Sequence, residues 1–575
     1  MTHPFFLQHK ERLDTAIQTC RTREYWSPFE ESPSKSKHPV GAHEQGRQNF
    51  ATYIQDHVSL SQAGSIGWVG KEISPYTQEP LDCTYPKVDI PVLLKRMQEA
   101  QPQWRDTTLE TRIGLGLELL ERWNKNNFVN AYATMHTAGQ AFMMAFAGSG
   151  ANALDRGMEA LVHAYIAQSQ IPTHADFYRN FGRNENPTHI HKTYRLIPRG
   201  IAVVICCGTF PTWNAYPSIL ASFCTGNPVI VKPHPNGILP MAIAVKTAQQ
   251  LLEEQGFDPN LVTLCADEPD SPVTKELMDH PLVRIIDFTG SPHFGNYIEK
   301  TYRNKQVYTE TAGCNSVLIE STDNYEGMIH AIAQSLCLFS AQMCTSAQNI
   351  FVSQKGVDIF DNMGTKIRSV SPSAFSSDLR DAIQNITKNP KMAAAVCGCV
   401  MSSKTLQDIQ ELRVIGKKEG KIILDSTSYE HPDFPNAQTA TPLVVELDVH
   451  QKHIYQREFF GPMSFVIICE HVEQAVERAT SDVRDFGAIS SYVYSVSHKK
   501  EWIEEQYILA GASVGCNLIE HLPINFAAAY SDFHVTGLNP AGNACLTDLA
   551  FVSNRFRIVQ SKTEIPHQPS SPQED

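Results

Sequence analysis

Between positions 200 and 309, short apolar strands alternate with helices, and this rhythm restricts the fold more than any other feature of the chain. Strand-like runs fall at 201–206, 228–232, 261–265, 283–288 and 306–309. Helix-like runs occupy the gaps, at 212–224, 239–255, 271–280 and 293–300. Strands that read as unbroken apolar runs are buried on both faces, and strands joined by helical crossovers pair in parallel. The segment therefore predicts a doubly wound parallel sheet. Ligands bind such sheets beyond the carboxyl ends of their strands. That directs attention to the loops at 207–210, 232–236 and 289–295.

A second α/β unit follows from Glu310. Strands at 316–320 and 349–352 flank a helix over 325–340, with further strands at 442–447, 464–468, 487–494 and 513–517. Upstream, a helix is expected over 5–23 and a loop over 23–48. Short strands are expected within 64–89, broken by Pro75, Pro80 and Pro86. The run Thr107-Thr108-Leu109-Glu110 has a capping-box pattern, and helices follow over 128–146 and 153–168. A chain of 575 residues is too long for one simple core, so two or three domains are expected.

Composition narrows the function. The net charge of −13 disfavours nucleic acid or an anionic membrane as the main partner, while leaving room for a local basic patch. No apolar run approaches the ~20 residues of a membrane span. The first residues lack the apolar core of a secretory signal. The 14 cysteines are scattered without zinc-site spacing, which fits buried thiols in a reducing, cytoplasmic setting.

Chemistry is most suggestive at Glu310 and Cys344. A thiolate can attack a carbonyl carbon, and a carboxylate can later activate water to release the acyl group. Gly290 and Ser291 end a strand and open a helix, where free N–H groups suit a phosphate. Lys232 ends a neighbouring strand within reach of a dinucleotide. Glu458 and Phe460 share a tight turn in which a carboxylate could hold ribose hydroxyls and a ring could flank a flat cofactor. No Gly-x-Gly-x-x-Gly fingerprint is present.

Taken in order, these segments resemble the aldehyde dehydrogenase superfamily. The correspondence runs through Gly208-Thr209-Phe210-Pro211, Lys232-Pro233, Phe288-Thr289-Gly290-Ser291, Glu310-Thr311-Ala312-Gly313, Gln342-Met343-Cys344 and Glu458-Phe459-Phe460-Gly461-Pro462. Within the superfamily the chain resembles the phenylacetic acid degradation protein N group of ring-opening aldehyde dehydrogenases. That likeness rests on the long N-terminal extension, Ser74-Pro75-Tyr76 and the segment 531–540.

The resemblance implies two doubly wound parallel-sheet domains and a small β oligomerisation domain. Cofactor binding falls to 1–177 with 200–309, catalysis to 310–530, oligomerisation to 178–199 with 545–562, and 563–575 is left as a disordered tail. It implies Cys344 as nucleophile, Glu310 as general base and Thr209 at the oxyanion position. It implies Lys232, Gly290, Ser291, Glu458 and Phe460 as contacts of NAD or NADP, with no metal. The implied substrate is a small aldehyde, free or CoA-linked, in a homodimer or homotetramer, with ring opening left to a separate hydratase.

Four departures from the family pattern stand out. Thr209 replaces the usual oxyanion asparagine, and Ala312 replaces a motif glycine. Pro235 replaces a glutamate that NAD-using members carry for the adenosine ribose, which makes room for a 2′-phosphate. The C-terminal glycine-rich motif is represented only by 531–542. Two alternatives stay open: a CoA-acylating dehydrogenase, and a catalytically weakened binding member of the fold.

Overall fold

Five strands of the alternating segment pair side by side, all in parallel. They are Ile201–Ile205, Val229–Lys232, Val262–Leu264, Val283–Gly290 and Gln306–Thr311. The computed structural model describes residues 3–180, 187–311, 313–519, 524–534 and 548–566. In space Ile201–Ile205 is central. The next two strands step outward on one side of it, and Val283–Gly290 and Gln306–Thr311 lie on the other. The chain therefore changes direction beside Ile201–Ile205, which opens a crevice at the strands' carboxyl ends. Every residue of Ile201–Ile205 and of Val229–Lys232 is buried, which is why these strands carry no polar alternation.

The second sheet has seven strands, ordered Lys421–Leu424, Leu443–Asp448, Met463–Cys469, Asn349–Ser353, Ser316–Ile319, Ser491–Tyr494 and Val514–Cys516. All neighbours pair in parallel except Lys421–Leu424, which runs antiparallel at the edge. The expected strands of this unit are present. Lys421–Leu424 escaped the sequence reading because it is short and only partly buried.

Several expectations about the helices need correction. The helix after the capping-box pattern is Leu109–Lys125, and Thr108 rather than Thr107 caps it, its Oγ1 accepting from Thr111 N at 3.1 Å. The expected helix at 128–146 is two helices, Asn127–Ala138 and Phe142–Phe146. Gly139 separates them at φ 82, a conformation that favours glycine. The expected loop at 23–48 ends in the helix Ala42–Ala51.

A third, three-stranded sheet joins His174–Arg179, Thr188–Pro198 and Phe556–Ile565, with Thr188–Pro198 in the middle. The segments assigned to oligomerisation thus pair with each other. Thr563, Glu564 and Ile565, expected within a disordered tail, are instead paired in the sheet with His191, Ile190 and His189. The long central strand offers them a full ladder of partners. The remainder of the expected tail, 567–575, lies outside the described residues, as do Ala312, 535–542 of the C-terminal motif and 545–547 of the expected oligomerisation segment. This sheet is tied to the five-stranded sheet by Arg555, which is fully buried and forks onto Asp287 at 2.6 and 2.8 Å. Among the described residues no helix is long and apolar enough to cross a membrane.

Candidate active site

The helix Tyr325–Cys337 ends just before the loop that carries Cys344. Phe339, Ser340 and Ala341 follow at φ 49, 49 and 50, three non-glycine residues in the left-handed region. Such a run costs of order 1–3 kcal/mol per residue and persists only where its surroundings fix it. Here they do. Ser340 Oγ donates to the carbonyl of Cys397 at 3.1 Å. Gln342 Nε2 donates to the carbonyl of Cys399 at 2.9 Å, and its Oε1 accepts from Met401 N at 2.9 Å. Asn315 Nδ2 donates to the carbonyls of Cys344 and Ser346 at 2.7 and 2.9 Å. The reversed turn swings Cys344 out of the helix line and holds it rigidly.

Cys344 opens onto a cavity of about 290 Å³ with apolar walls that include Met143, Met144, Phe210, Trp213, Leu338 and Phe526. The polar groups reaching this cavity include Asn214, Asn525 and His534. Glu310 ends the strand Gln306–Thr311 and is 1 % exposed. A carboxylate oxygen of Glu310, the sulfur of Cys344 and a ring nitrogen of His534 lie within 4.8 Å of one another. Glu310 Oε1 accepts from Asn214 Nδ2 at 2.7 Å, while Oε2 has no partner among the described residues.

Burial sets the proton affinities. Desolvation pushes the Glu310 carboxyl up to about 8, opposed by the Asn214 hydrogen bond and the Arg156 charge. Burial, with Glu310 facing it, holds the Cys344 thiol well above its ordinary value, and its own backbone N–H opposes that rise. Cys207 sits beside Asn214, with Sγ 3.8 Å from Asn214 Oδ1. Burial pushes that thiol to about 12, in keeping with a buried, unreactive cysteine.

The aldehyde dehydrogenase family pattern matches residues 70–505, well over half of the chain. The chain belongs to the aldehyde dehydrogenase family. A crystal structure of an NAD-dependent aldehyde dehydrogenase from Burkholderia multivorans superposes with a TM-score of 0.94 at 40% identity, over 99% of this chain and all of that one. A 1-pyrroline-5-carboxylate dehydrogenase from Thermus thermophilus shares the fold at 18% identity and TM-score 0.74, over 94% and 99% of the two chains. Among curated relatives, an aldehyde dehydrogenase-like protein of Saccharomyces cerevisiae is 22% identical over 69% of this chain and 60% of its own length. A 1-pyrroline-5-carboxylate dehydrogenase of Staphylococcus epidermidis is 26% identical over 55% of this chain and 57% of its own length. The match thus spans somewhat more than half of those two relatives.

Within this aldehyde dehydrogenase fold, the expected site residues fall in different places. Cys344 and Glu310 meet. Thr209 does not join them: its carbonyl receives Gln140 Nε2 at 2.6 Å, and it is not among the residues lining the Cys344 cavity. Asn214 lines that cavity instead and bonds Glu310. It lies in the first turn of the helix Pro211–Cys224, just beyond the loop 207–210. The signal lies in Trp213-Asn214, which match the Trp-Asn of the family's Pro-Trp-Asn-Phe-Pro run.

Lys232 is 3% exposed, and its Nζ sits 2.7 Å from Asp267 Oδ1 while donating to the carbonyl of Pro233 at 2.7 Å. It is buried and paired within the protein rather than extended toward solvent. Gly290 and Ser291 lie at the carboxyl end of the Val283–Gly290 strand, where Ser291 Oγ caps the helix Pro292–Thr301. Glu458 and Phe460 share a narrow cleft with Gly313, Asn315 and Met343. Met343 also borders the Cys344 cavity, so the loop carrying Cys344 separates the two spaces. Burial raises the Glu458 carboxyl to about 8, and it makes no side-chain hydrogen bond among the described residues. An unpartnered carboxyl beside an aromatic ring suits a ribose and a flat ring, so these residues fit a nicotinamide dinucleotide.

His534 is the site residue that the sequence reading passed over. It lies in the 531–540 segment, which had been noted only as a likeness to one subgroup.

Proposed function

We propose that this chain oxidises an aldehyde to a carboxylic acid through a covalent thioester on Cys344. The supporting observation is the buried Glu310 carboxyl, within 4.8 Å of the Cys344 sulfur and carrying one unpartnered oxygen. Sγ of Cys344 attacks the aldehyde carbon. Asn214 Nδ2 and the Cys344 backbone N–H receive the oxygen as it gains charge. NAD or NADP, when bound, supplies the hydride acceptor, with Glu458, Phe460, Gly290 and Ser291 to hold it and Lys232 stiffening the adjoining loop. Glu310 takes a proton from water, the water oxygen adds to the thioester carbon, and Sγ leaves. A carboxylate in this position favours release to water over release to a CoA thiol.

Pro235 leaves out the acidic residue that would repel a 2′-phosphate, and this favours NADP over NAD. The substrate class we assign is a semialdehyde derived from an aromatic ring, as in phenylacetate catabolism, free or CoA-linked. The apolar walls formed by Met143, Met144, Phe210, Trp213 and Phe526 suit such a chain. The resemblance of the 531–540 segment and of Ser74-Pro75-Tyr76 to the phenylacetic acid degradation protein N group supports the same assignment. A separate hydratase would then open the ring. The three-stranded sheet, with Tyr178, Ile558 and Val559 exposed, is the surface we assign to a homodimer or homotetramer.

The test is reduction of NAD and of NADP with a panel of aliphatic and ring-derived aldehydes, free and CoA-linked. Turnover with at least one is expected. Turnover that requires added CoA would point to the acylating alternative, and no reduction with any of them would overturn the reading.

A further inference from the structure

His534 stands between the nucleophile and the base. Its Nε2 lies 3.8 Å from Cys344 Sγ, and its Nδ1 lies 3.5 Å from Glu310 Oε1. The ring is 1% exposed, and its Nδ1 forms no hydrogen bond among the described residues. A buried imidazole with an idle nitrogen is costly unless that nitrogen is used. Trp213 packs against the ring at 4.9 Å and fixes its plane. Its backbone is held from a distance. Arg156 donates to the carbonyls of Ala528 and Asp532 at 3.1 Å each. Arg23 donates to the carbonyl of Tyr530 at 2.7 Å and stacks over Phe533 at 3.6 Å. Both arginines pair with Glu159. Buried Arg156 and half-buried Arg23, from separate parts of the chain, thus position the residue that touches the sulfur.

We propose that His534 is a catalytic proton relay that carries the Cys344 thiol proton to Glu310. The proposal rests on the assignment of Cys344 as nucleophile and Glu310 as base. In the forward direction the Sγ–H bond breaks and the proton passes to Nε2. The Nδ1–H bond breaks in the same step, and that proton passes to a Glu310 oxygen. The imidazole ends neutral, the sulfur anionic and the carboxyl protonated. Glu310 gives this proton to solvent before it serves as base for water. When the acid leaves, the proton taken from water returns through His534 to the departing sulfur.

The groups around the ring set the direction of transfer. Glu310, Cys344 and Arg156 face His534, while Cys207 and Glu458 face Cys344. Burial, with Arg156 adding to it, lowers the imidazole to about 3, so a charged His534 is not a resting state. Burial raises Glu310 to about 8, so once it ionises, as pH rises through that value, its carboxylate is a better proton acceptor than the imidazole.

The experiment is alkylation of Cys344 by iodoacetamide, followed by peptide mass spectrometry from neutral to alkaline pH, with a chelator present and without aldehyde or cofactor. It therefore reads the thiol independently of turnover, so a failed aldehyde panel and a failed relay are separate results. His534→Gln is expected to slow labelling near pH 8 by about tenfold or more and to move its pH midpoint upward. Glu310→Gln decides the sign. Charge alone predicts faster labelling, because a facing carboxylate is gone, whereas the relay predicts slower labelling, because the acceptor is gone. Wild-type labelling of His534→Gln, or faster labelling of Glu310→Gln, overturns the proposal. Should His534→Gln not fold, the Glu310→Gln arm decides alone.

Discussion

Asn214 Nδ2 donates to Glu310 Oε1 across 2.7 Å, and this bond joins the first turn of a helix on one sheet to the last strand of that sheet at the point where the nucleophile loop arrives. An amide has two N–H groups. One holds the carboxylate in place, and the second is free to serve the substrate oxygen. Asn214→Ala is therefore expected to lower kcat/KM by about 10²–10³. Thr209→Val, which leaves the carbonyl bond to Gln140 in place, should cost less than about tenfold by the same measure. Steady-state kinetics of the two variants, side by side, test the placement of the oxyanion site.

Glu310→Gln separates the two halves of the reaction. Loss of a general base costs about 10²–10⁴ in rate. The expected outcome is a single-turnover burst of reduced cofactor followed by steady-state acid formation slower by that factor. A stopped-flow trace with undiminished steady-state turnover would remove Glu310 from the hydrolytic step.

The pH dependence follows from the same carboxyl. A base must be ionised to accept a proton, and burial raises Glu310 to about 8. Deacylation should therefore increase as pH rises through that value and level off above it. The stability sign is the reverse. A carboxyl whose folded pKa lies above its unfolded pKa contributes stability at low pH that is lost as pH rises through the folded value. Glu310→Gln should thus raise Tm more at alkaline than at acidic pH, by an amount equivalent to about 1–3 kcal/mol, readable by calorimetry.

What the sequence disclosed and what it hid follow from distance along the chain. Strands Ile201–Ile205 and Val229–Lys232 were legible because both faces are buried and every residue is constrained. Glu310 and Cys344 were legible through ordered motifs. Lys232 was legible as a strand-end residue, but its pairing with Asp267 was not, because the two become adjacent only when neighbouring strands pair. His534 lies 190 positions from Cys344, and two arginines bring it there. No local pattern encodes that meeting. The N-terminal extension gains a role in the same way, because Arg23 ends the helix Lys10–Thr22 at φ 60 and reaches the Tyr530 carbonyl.

Arg23→Ala tests that role. It removes the clamp on Tyr530 and Phe533 but leaves Glu159 paired with Arg156. The expected cost in stability is modest, about 1–3 kcal/mol for a lost charged hydrogen bond. Alkylation of Cys344 should slow as His534 loses its register, while the unfolding transition stays cooperative.

Arg555→Met should be more damaging to the fold. It strands the fully buried Asp287 carboxylate, and breaking a buried pair from one side costs about 3–5 kcal/mol. Denaturant unfolding measures this. Arg555→Met with Asp287→Leu should recover much of the loss, since a well-packed apolar pair avoids the stranded charge.

The central claim is that an acyl group passes through Cys344 and leaves by Glu310-assisted hydrolysis. The most direct measurement is mass spectrometry of the Glu310→Gln protein after mixing with NADP or NAD and an aldehyde that the wild-type protein oxidises. The predicted result is one acyl group per chain, located on the Cys344 peptide and absent from Cys344→Ser. An unmodified Cys344 peptide in a protein that has formed reduced cofactor would contradict the account.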